Sequence, residues 1–167
     1  DQLGGEGEVV QIDETYVGGK SKGKRGRGAS NKTAVLGMIE PDGKVMAKVV
    51  PNTAGKTLQP IIEANVAKGS ELQTDEWGAY RGIDEKGYDH KTVNHGAKEY
   101  VAVDGTTTNA IENFWRHVKC SIKGTHVSVS PKYLESYVKE FEYRFNRRTT
   151  PELMLGELLS QFPELGA

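Results

Sequence analysis

The sequence predicts an α/β domain in which three antiparallel strands precede alternating helices and strands, giving one mixed sheet covered on both faces. Three observations predict it. Residues 8–17, EVVQIDETYV, are rich in β-branched and aromatic residues, as strands are. KTAVLGMIE and KVMAKVV flank Pro-Asp-Gly, a strong turn signal, and so read as a hairpin that continues the first strand into a meander. Over residues 106–123, Ile111, Trp115, Val118 and Ile122 recur at i, i+4, i+7 and i+11, which marks the clearest helix.

The remaining elements follow in order. Thr53 is a candidate N-cap for a helix over 54–67, with Leu58, Ile61 and Ile62 on its apolar face. ELQTD (71–75) is a short strand ending at Asp75, EWGAYRGID a short helix or turn, and YDHKTVNH (88–95) another strand. A second long helix spans about 131–147, with Leu134, Tyr137, Val138, Phe141 and Phe145 inward. Pro151 interrupts, and a short apolar helix is expected near 153–159. The order is βββ-α-β-α-β-α-α.

Composition bounds the function. A chain of 167 residues, 36% hydrophobic and 27% charged, suits one domain with a real core. A single cysteine, Cys120, excludes an internal disulfide and a zinc site of paired thiolates. DQLGG has neither a basic n-region nor an apolar core, and no apolar run approaches a membrane span, so a cytoplasmic protein is expected. The net charge of −1 alone argues against a nucleic-acid binder. Its distribution does not. KSKGKRGRG carries Lys20, Lys22, Lys24, Arg25 and Arg27 with no acid, and RHVKCSIKG and YRFNRR are also basic. Residues 18–32 therefore read as a long loop, either a solvated linker or an arm that tracks phosphates without reading bases.

Asp13 and Glu14 stand inside the first strand, where acid is unfavourable unless it is paired. They point to opposite faces, so at most one faces a given site; Glu14 would pair with a cation in the sheet's cover or meet water. Asp75 ends a later strand, and strand ends along one edge of an α/β sheet are where sites form. Glu112 borders the buried stripe of the clearest helix, with Arg116 and Lys119 further along the same face. Mg²⁺ takes hard oxygen ligands. Two such ions about 4 Å apart clamp both oxygens of an in-line phosphoryl displacement. Plainer readings compete: Asp75 as a strand-to-helix cap, and Glu112 as a first-turn acid favouring the helix dipole or pairing with Arg116.

IDETYVGGK, KTAVLGMIE, TDEWGAY, TVNH, TNAIENFWRHVKCSIKGTH and KYLESYVKEFEYRFNRR, taken in order over about residues 9–148, resemble the catalytic domain of ISXO-type insertion-sequence transposases of the DDE class. The resemblance implies an RNase H-like fold as one domain over 1–167, with the basic loop at 18–32 and a helical extension at 149–167. It implies that Asp13, Asp75 and Glu112 are catalytic and bind two Mg²⁺, with Mn²⁺ as substitute, Asp13 bridging the ions. Thirty-six residues separate Asp75 from Glu112, close to the spacing usual in the class. Some relatives place Asn at the third position, and Asn109 and Asn113 flank Glu112. Lys119 matches the basic residue that accompanies the third acid.

The implied reaction frees a 3′-hydroxyl at a transposon end and joins it to target DNA. Lys20, Lys22, Lys24, Arg25, Arg27, Arg116, Lys119 and Lys123 would contact DNA, with His95 and Asn109 supporting the site. Full-length relatives carry an N-terminal zinc-binding recognition region that this sequence lacks, so it reads as the catalytic core. Such enzymes assemble as homo-oligomers on DNA, and no membrane partner is expected. The alternatives are an RNase H-like nuclease or resolvase without strand transfer, and an inactive DNA-binding remnant. A carboxylate-pair glycosidase is remote.

Overall fold

In the computed structural model, which describes residues 2–18, 32–93, 105–125 and 129–161, the strands fall within the segments that the sequence predicts. They are β1 (Val9–Val17), β2 (Thr33–Ile39), β3 (Val45–Val50), β4 (Glu71–Asp75) and β5 (Asp89–Val93). They form one sheet in the order β3-β2-β1-β4-β5. β1 pairs antiparallel with β2 and parallel with β4, placing the first strand at the centre; β2–β3 is antiparallel and β4–β5 parallel. The helices are α1 (Gly55–Asn65), α2 (Asn109–Thr125), α3 (Pro131–Asn146) and α4 (Leu153–Ser160). This is the helix-flanked five-stranded mixed sheet expected of an RNase H-like fold. The element expected between β4 and β5 is two single 3₁₀ turns, Gly78–Tyr80 and Asp84–Lys86.

Strand pleating divides the core in two. One face of the sheet offers Val10, Ile12, Leu36, Met38 and Leu72 to Leu58 and Ile62 of α1. The other offers Val17, Val35, Ile39, Val45 and Ala47 to Ile111, Trp115 and Val118 of α2 and Leu134 and Val138 of α3. The Ile111–Trp115–Val118 stripe is buried as its spacing predicts, while Ile122, Tyr137, Phe141 and Phe145 are partly buried against it.

Thr53 does not cap α1. The N-cap position is Ala54, with no side-chain bond. Asn52 supplies the local polar contacts instead, its Oδ1 accepting from the Ala54 N–H at 3.0 Å and from the Thr57 hydroxyl at 2.7 Å. Thr53 is drawn inward, where its hydroxyl meets that of Tyr16 at 3.2 Å.

β3 lies at the edge of the sheet, where unpaired donors invite another strand. Here α3 covers them. Val45, Ala47 and Val49 donate their N–H groups to Asn146 Oδ1 at 2.8 Å, Glu142 Oε2 at 2.8 Å and Glu135 Oε2 at 3.0 Å. Asn146 Nδ2 returns a bond to the Val45 carbonyl at 2.9 Å. Glu157 on α4 accepts from Arg147 Nε at 2.7 Å and from the Tyr143 hydroxyl at 3.0 Å, tying α4 to the end of α3.

Candidate active site

Two parallel strands with the same local pattern build the floor of the site. Gln11-Ile12-Asp13 on β1 and Gln73-Thr74-Asp75 on β4 run side by side, and the register pairs Gln11 with Gln73. Two residues further along each strand, on the same face, stand Asp13 and Asp75. Asp75 ends its strand, while Asp13 stands mid-strand in β1, just past the stretch that pairs with β4.

The glutamines bring in the third acid. Both are buried, and Gln11 Nε2 donates to Gln73 Oε1 at 3.3 Å. Gln11 Oε1 accepts from the N–H groups of Ala110 and Ile111, at 2.9 and 3.2 Å. Gln73 Oε1 also accepts from the Thr107 N–H at 3.2 Å. Two orphan donors at the start of α2, those of Ala110 and Ile111, are thus satisfied by the sheet itself. This fixes the first turn of α2, and Glu112 within it, over β1 and β4.

Gly37 permits the approach. It sits opposite Asp13 on β2, and a Cβ there would overlap the Trp115 ring and lie 2.8 Å from Ile111 Cδ1. Only a residue without a side chain lets α2 settle this close to the central strands.

The electrostatics record the convergence. Burial, with the negative charges of Glu14, Asp75 and Glu112, pushes the Asp13 carboxyl up to about 7. Lys119 lies close enough to Asp13 to be held up by it, while burial and Lys32 together bring its ammonium below the ordinary lysine range. Asp75 and Glu112 are each tethered. Asp75 Oδ1 accepts from the Trp77 N–H at 2.9 Å, so Asp75 does close the turn after its strand. Glu112 Oε1 accepts from the Thr108 hydroxyl at 2.8 Å, which draws the carboxylate back toward its own helix end. Among the described residues, no three Asp, Glu, His or Cys side chains form a group that could hold a metal ion. The acids therefore share a field without sharing a coordination sphere. Coulombic influence reaches further than a metal–oxygen bond of about 2 Å.

Glu14 takes the opposite face, as alternation requires. It is buried, and Tyr80 donates its hydroxyl to Glu14 Oε2 at 2.6 Å. That contact, burial and the neighbouring acids push the Tyr80 phenol well above its usual range, so it remains a donor at neutral pH.

Asn109 begins α2 and is exposed, its N–H bonded to Thr107 Oγ1 at 3.2 Å. Arg116, Lys119 and Lys123 are exposed along the same helix. Lys20, Lys22, Lys24, Arg25, Arg27 and His95 lie outside the described residues. Gln11, Gln73, Gly37, Thr108 and Tyr80 are the site-building residues that the sequence reading missed. The repeated Gln-x-Asp was the available signal for the first two.

The model of the ISXO2-like transposase domain matches residues 2–146. The chain belongs to the ISXO2-like transposase family. An uncharacterized transposase-like protein of Haemophilus influenzae (strain ATCC 51907 / DSM 11121 / KW20 / Rd) is 35% identical over 103 residues, which cover 62% of this chain and 81% of that relative. Within this transposase domain, no helix among the described residues is long and apolar enough to cross a membrane.

Proposed function

We propose that this domain is a DDE transposase core that cuts DNA at the ends of its element and joins the freed 3′-hydroxyl to target DNA. The observation that carries the reading is that the charges of Asp75 and Glu112 both reach Asp13 across the two central parallel strands. Three carboxylates, all hard oxygen donors, fit Mg²⁺ chemically. Burial first, and then the neighbouring acids, push the Asp13 carboxyl up to about 7, a state that a bound cation would relieve. Mg²⁺, when bound, would polarise the scissile phosphate and stabilise both the attacking and the leaving oxygen.

The chain's own residues have distinct parts. Asp13 must lose its proton to serve as a ligand. Asp75 is oriented by the Trp77 N–H. Glu112 is exposed and accepts from the Thr108 hydroxyl, and would exchange that bond for a cation on binding. Lys119, beside Asp13, offers a cation to a backbone phosphate. Arg116 and Lys123 on the same helix extend that line, and the basic segment holding Lys20, Lys22, Lys24, Arg25 and Arg27 would add sequence-independent grip. The assembly acting on paired DNA ends would be a homo-oligomer.

The test is Asp13→Asn with DNA carrying an element end. Wild type should nick it with Mg²⁺ or Mn²⁺, and the variant should not, while keeping the same circular dichroism spectrum. Full cleavage by the variant, or wild-type cleavage in EDTA, would defeat the metal reading. Pre-cleaved ends then distinguish a transposase from a nuclease: joining to target DNA is expected, and cutting without joining would favour the nuclease.

A further inference from the structure

We propose that α4 is the surface through which two copies of this chain pair, each laying the outward leucines of the helix against those of the other about a two-fold axis. The inference needs neither DNA nor metal, so it stands apart from the catalytic reading.

A surface helix ordinarily turns its apolar stripe to the core and its charges to water. α4 does the reverse. Glu157 is the only charged residue between Leu153 and Gln161, and it faces the end of α3. There it accepts from Arg147 Nε at 2.7 Å and from the Tyr143 hydroxyl at 3.0 Å. The same hydroxyl lies 3.3 Å from the Met154 carbonyl oxygen, which fixes the side of α4 that meets α3. Successive helix residues turn by about 100°, so Leu155 and Leu159 stand about 160° round from Glu157 on either side. They form an outward ridge, 67% and 60% exposed, with Leu158 beside them at 50%. Among the described residues, five large apolar side chains are exposed, and four of them are leucines of α4. The fifth, Tyr133, belongs to the first turn of α3, at the other end from Tyr143 and Arg147.

Charge and symmetry single out a second copy as the occupant. The ridge carries no cation, so it offers nothing to a phosphate. In a two-fold contact a patch meets itself, and any net charge on it would repel its own copy. α4 presents none, because its one acid is already paired within the chain. A second copy brings the same apolar ridge, which is the largest such surface that the described residues offer. Gly156 flanks the ridge with nothing within 4 Å of where a Cβ would stand, so another backbone can come close. The patch is small. Three leucines and a glycine fall well short of the roughly 800 Å² that each partner buries in a standard stable interface. The pairing is therefore weak and set by concentration, not permanent.

The experiment uses the full chain in EDTA without DNA. Sedimentation velocity should show monomer at low micromolar concentration and a growing dimer fraction toward about 1 mM. Leu155→Glu combined with Leu159→Glu sets like charges against each other across the axis. This variant should stay monomeric throughout and keep the wild-type circular dichroism spectrum. Leucine methyl resonances of the wild type give a readout that needs no variant. Those of Leu155 and Leu159 should shift as the dimer forms, while those of the buried Leu36 and Leu72 stay fixed. A wild-type chain still monomeric at about 1 mM would overturn the proposal. So would a dimer that survives in the folded double variant, or α4 methyls that do not move as the dimer forms. Growth past the dimer would overturn it as well, because open-ended chains join two different surfaces. Absence of the dimer with metal-dependent cleavage intact removes only this contact, and a dimer without cleavage removes only the catalytic reading.

Discussion

Gln11 and Gln73 face each other across parallel strands, and the 3.3 Å bond between their buried amides links the sheet to the helix that carries Glu112. Gln11 uses its oxygen for two helix donors and its nitrogen for Gln73. A polar pair in the middle of a sheet is tolerable because the described contacts satisfy it on both sides.

Gln11→Leu should therefore be more damaging than an ordinary core substitution. It strands the Ala110 and Ile111 N–H groups in a dry environment, at a cost of about 1–3 kcal/mol. Urea unfolding should show the loss. Metal-dependent cleavage should fall further than stability alone explains, because the first turn of α2 loses its anchor. A variant with wild-type midpoint and wild-type cleavage would show that the cap is dispensable.

Gly37→Ala tests the close approach of α2. The added methyl would lie 2.8 Å from Ile111 Cδ1 and against the Trp115 ring, so the helix must move outward. Overpacking of this kind costs about 1–3 kcal/mol. The Trp115 fluorescence maximum should shift to the red as its ring loosens. An unchanged spectrum with unchanged stability would mean that the space is not tight.

Asp13 makes metal-free stability depend on pH. Its folded carboxyl sits near 7 and its unfolded one near 3.8, so between those values the folded state binds more protons. This contribution is complete below about pH 4 and is lost as pH rises through about 7. In EDTA at pH 8, Asp13→Asn should be more stable than wild type by on the order of 1–3 kcal/mol, allowing for solvent at the mouth of the site. The two proteins should converge at low pH. Urea midpoints measured from pH 5 to pH 8 decide it, and a difference independent of pH would refute the linkage.

Tyr80→Phe removes the hydroxyl that donates to the buried Glu14 carboxylate. The cost should be about 1–3 kcal/mol, and adding Glu14→Gln should recover part of it by removing the buried charge. Thermal melts of the single and double variants measure the coupling. Strictly additive losses would mean that the two groups act independently.

Much of the architecture was legible because it depends on short-range periodicity. β-Branched and aromatic runs and the Pro-Asp-Gly turn located the strands, and the Ile111–Trp115–Val118 stripe located α2 and its buried face. Asp13 and Asp75 stood out as acids in strands. What stayed hidden was long-range. Gln11 reads as a polar interruption until β4, four elements later, repeats the same Gln-x-Asp spacing. Gly37 reads as a weak point in β2 until α2 is laid across it. Thr53 looked like a cap because its residue type favours caps, but burial against Tyr16 outweighed the local preference. The bonds from Glu135, Glu142 and Asn146 join positions about a hundred residues apart or slightly fewer, beyond any local pattern.

Those three side chains have a consequence for how copies of the protein come together. With the outward donors of β3 already occupied by its own α3, a neighbouring strand on that side finds no free N–H group at Val45, Ala47 or Val49 to pair with. Any complex formed there must draw its contacts mainly from the outer surfaces of helices.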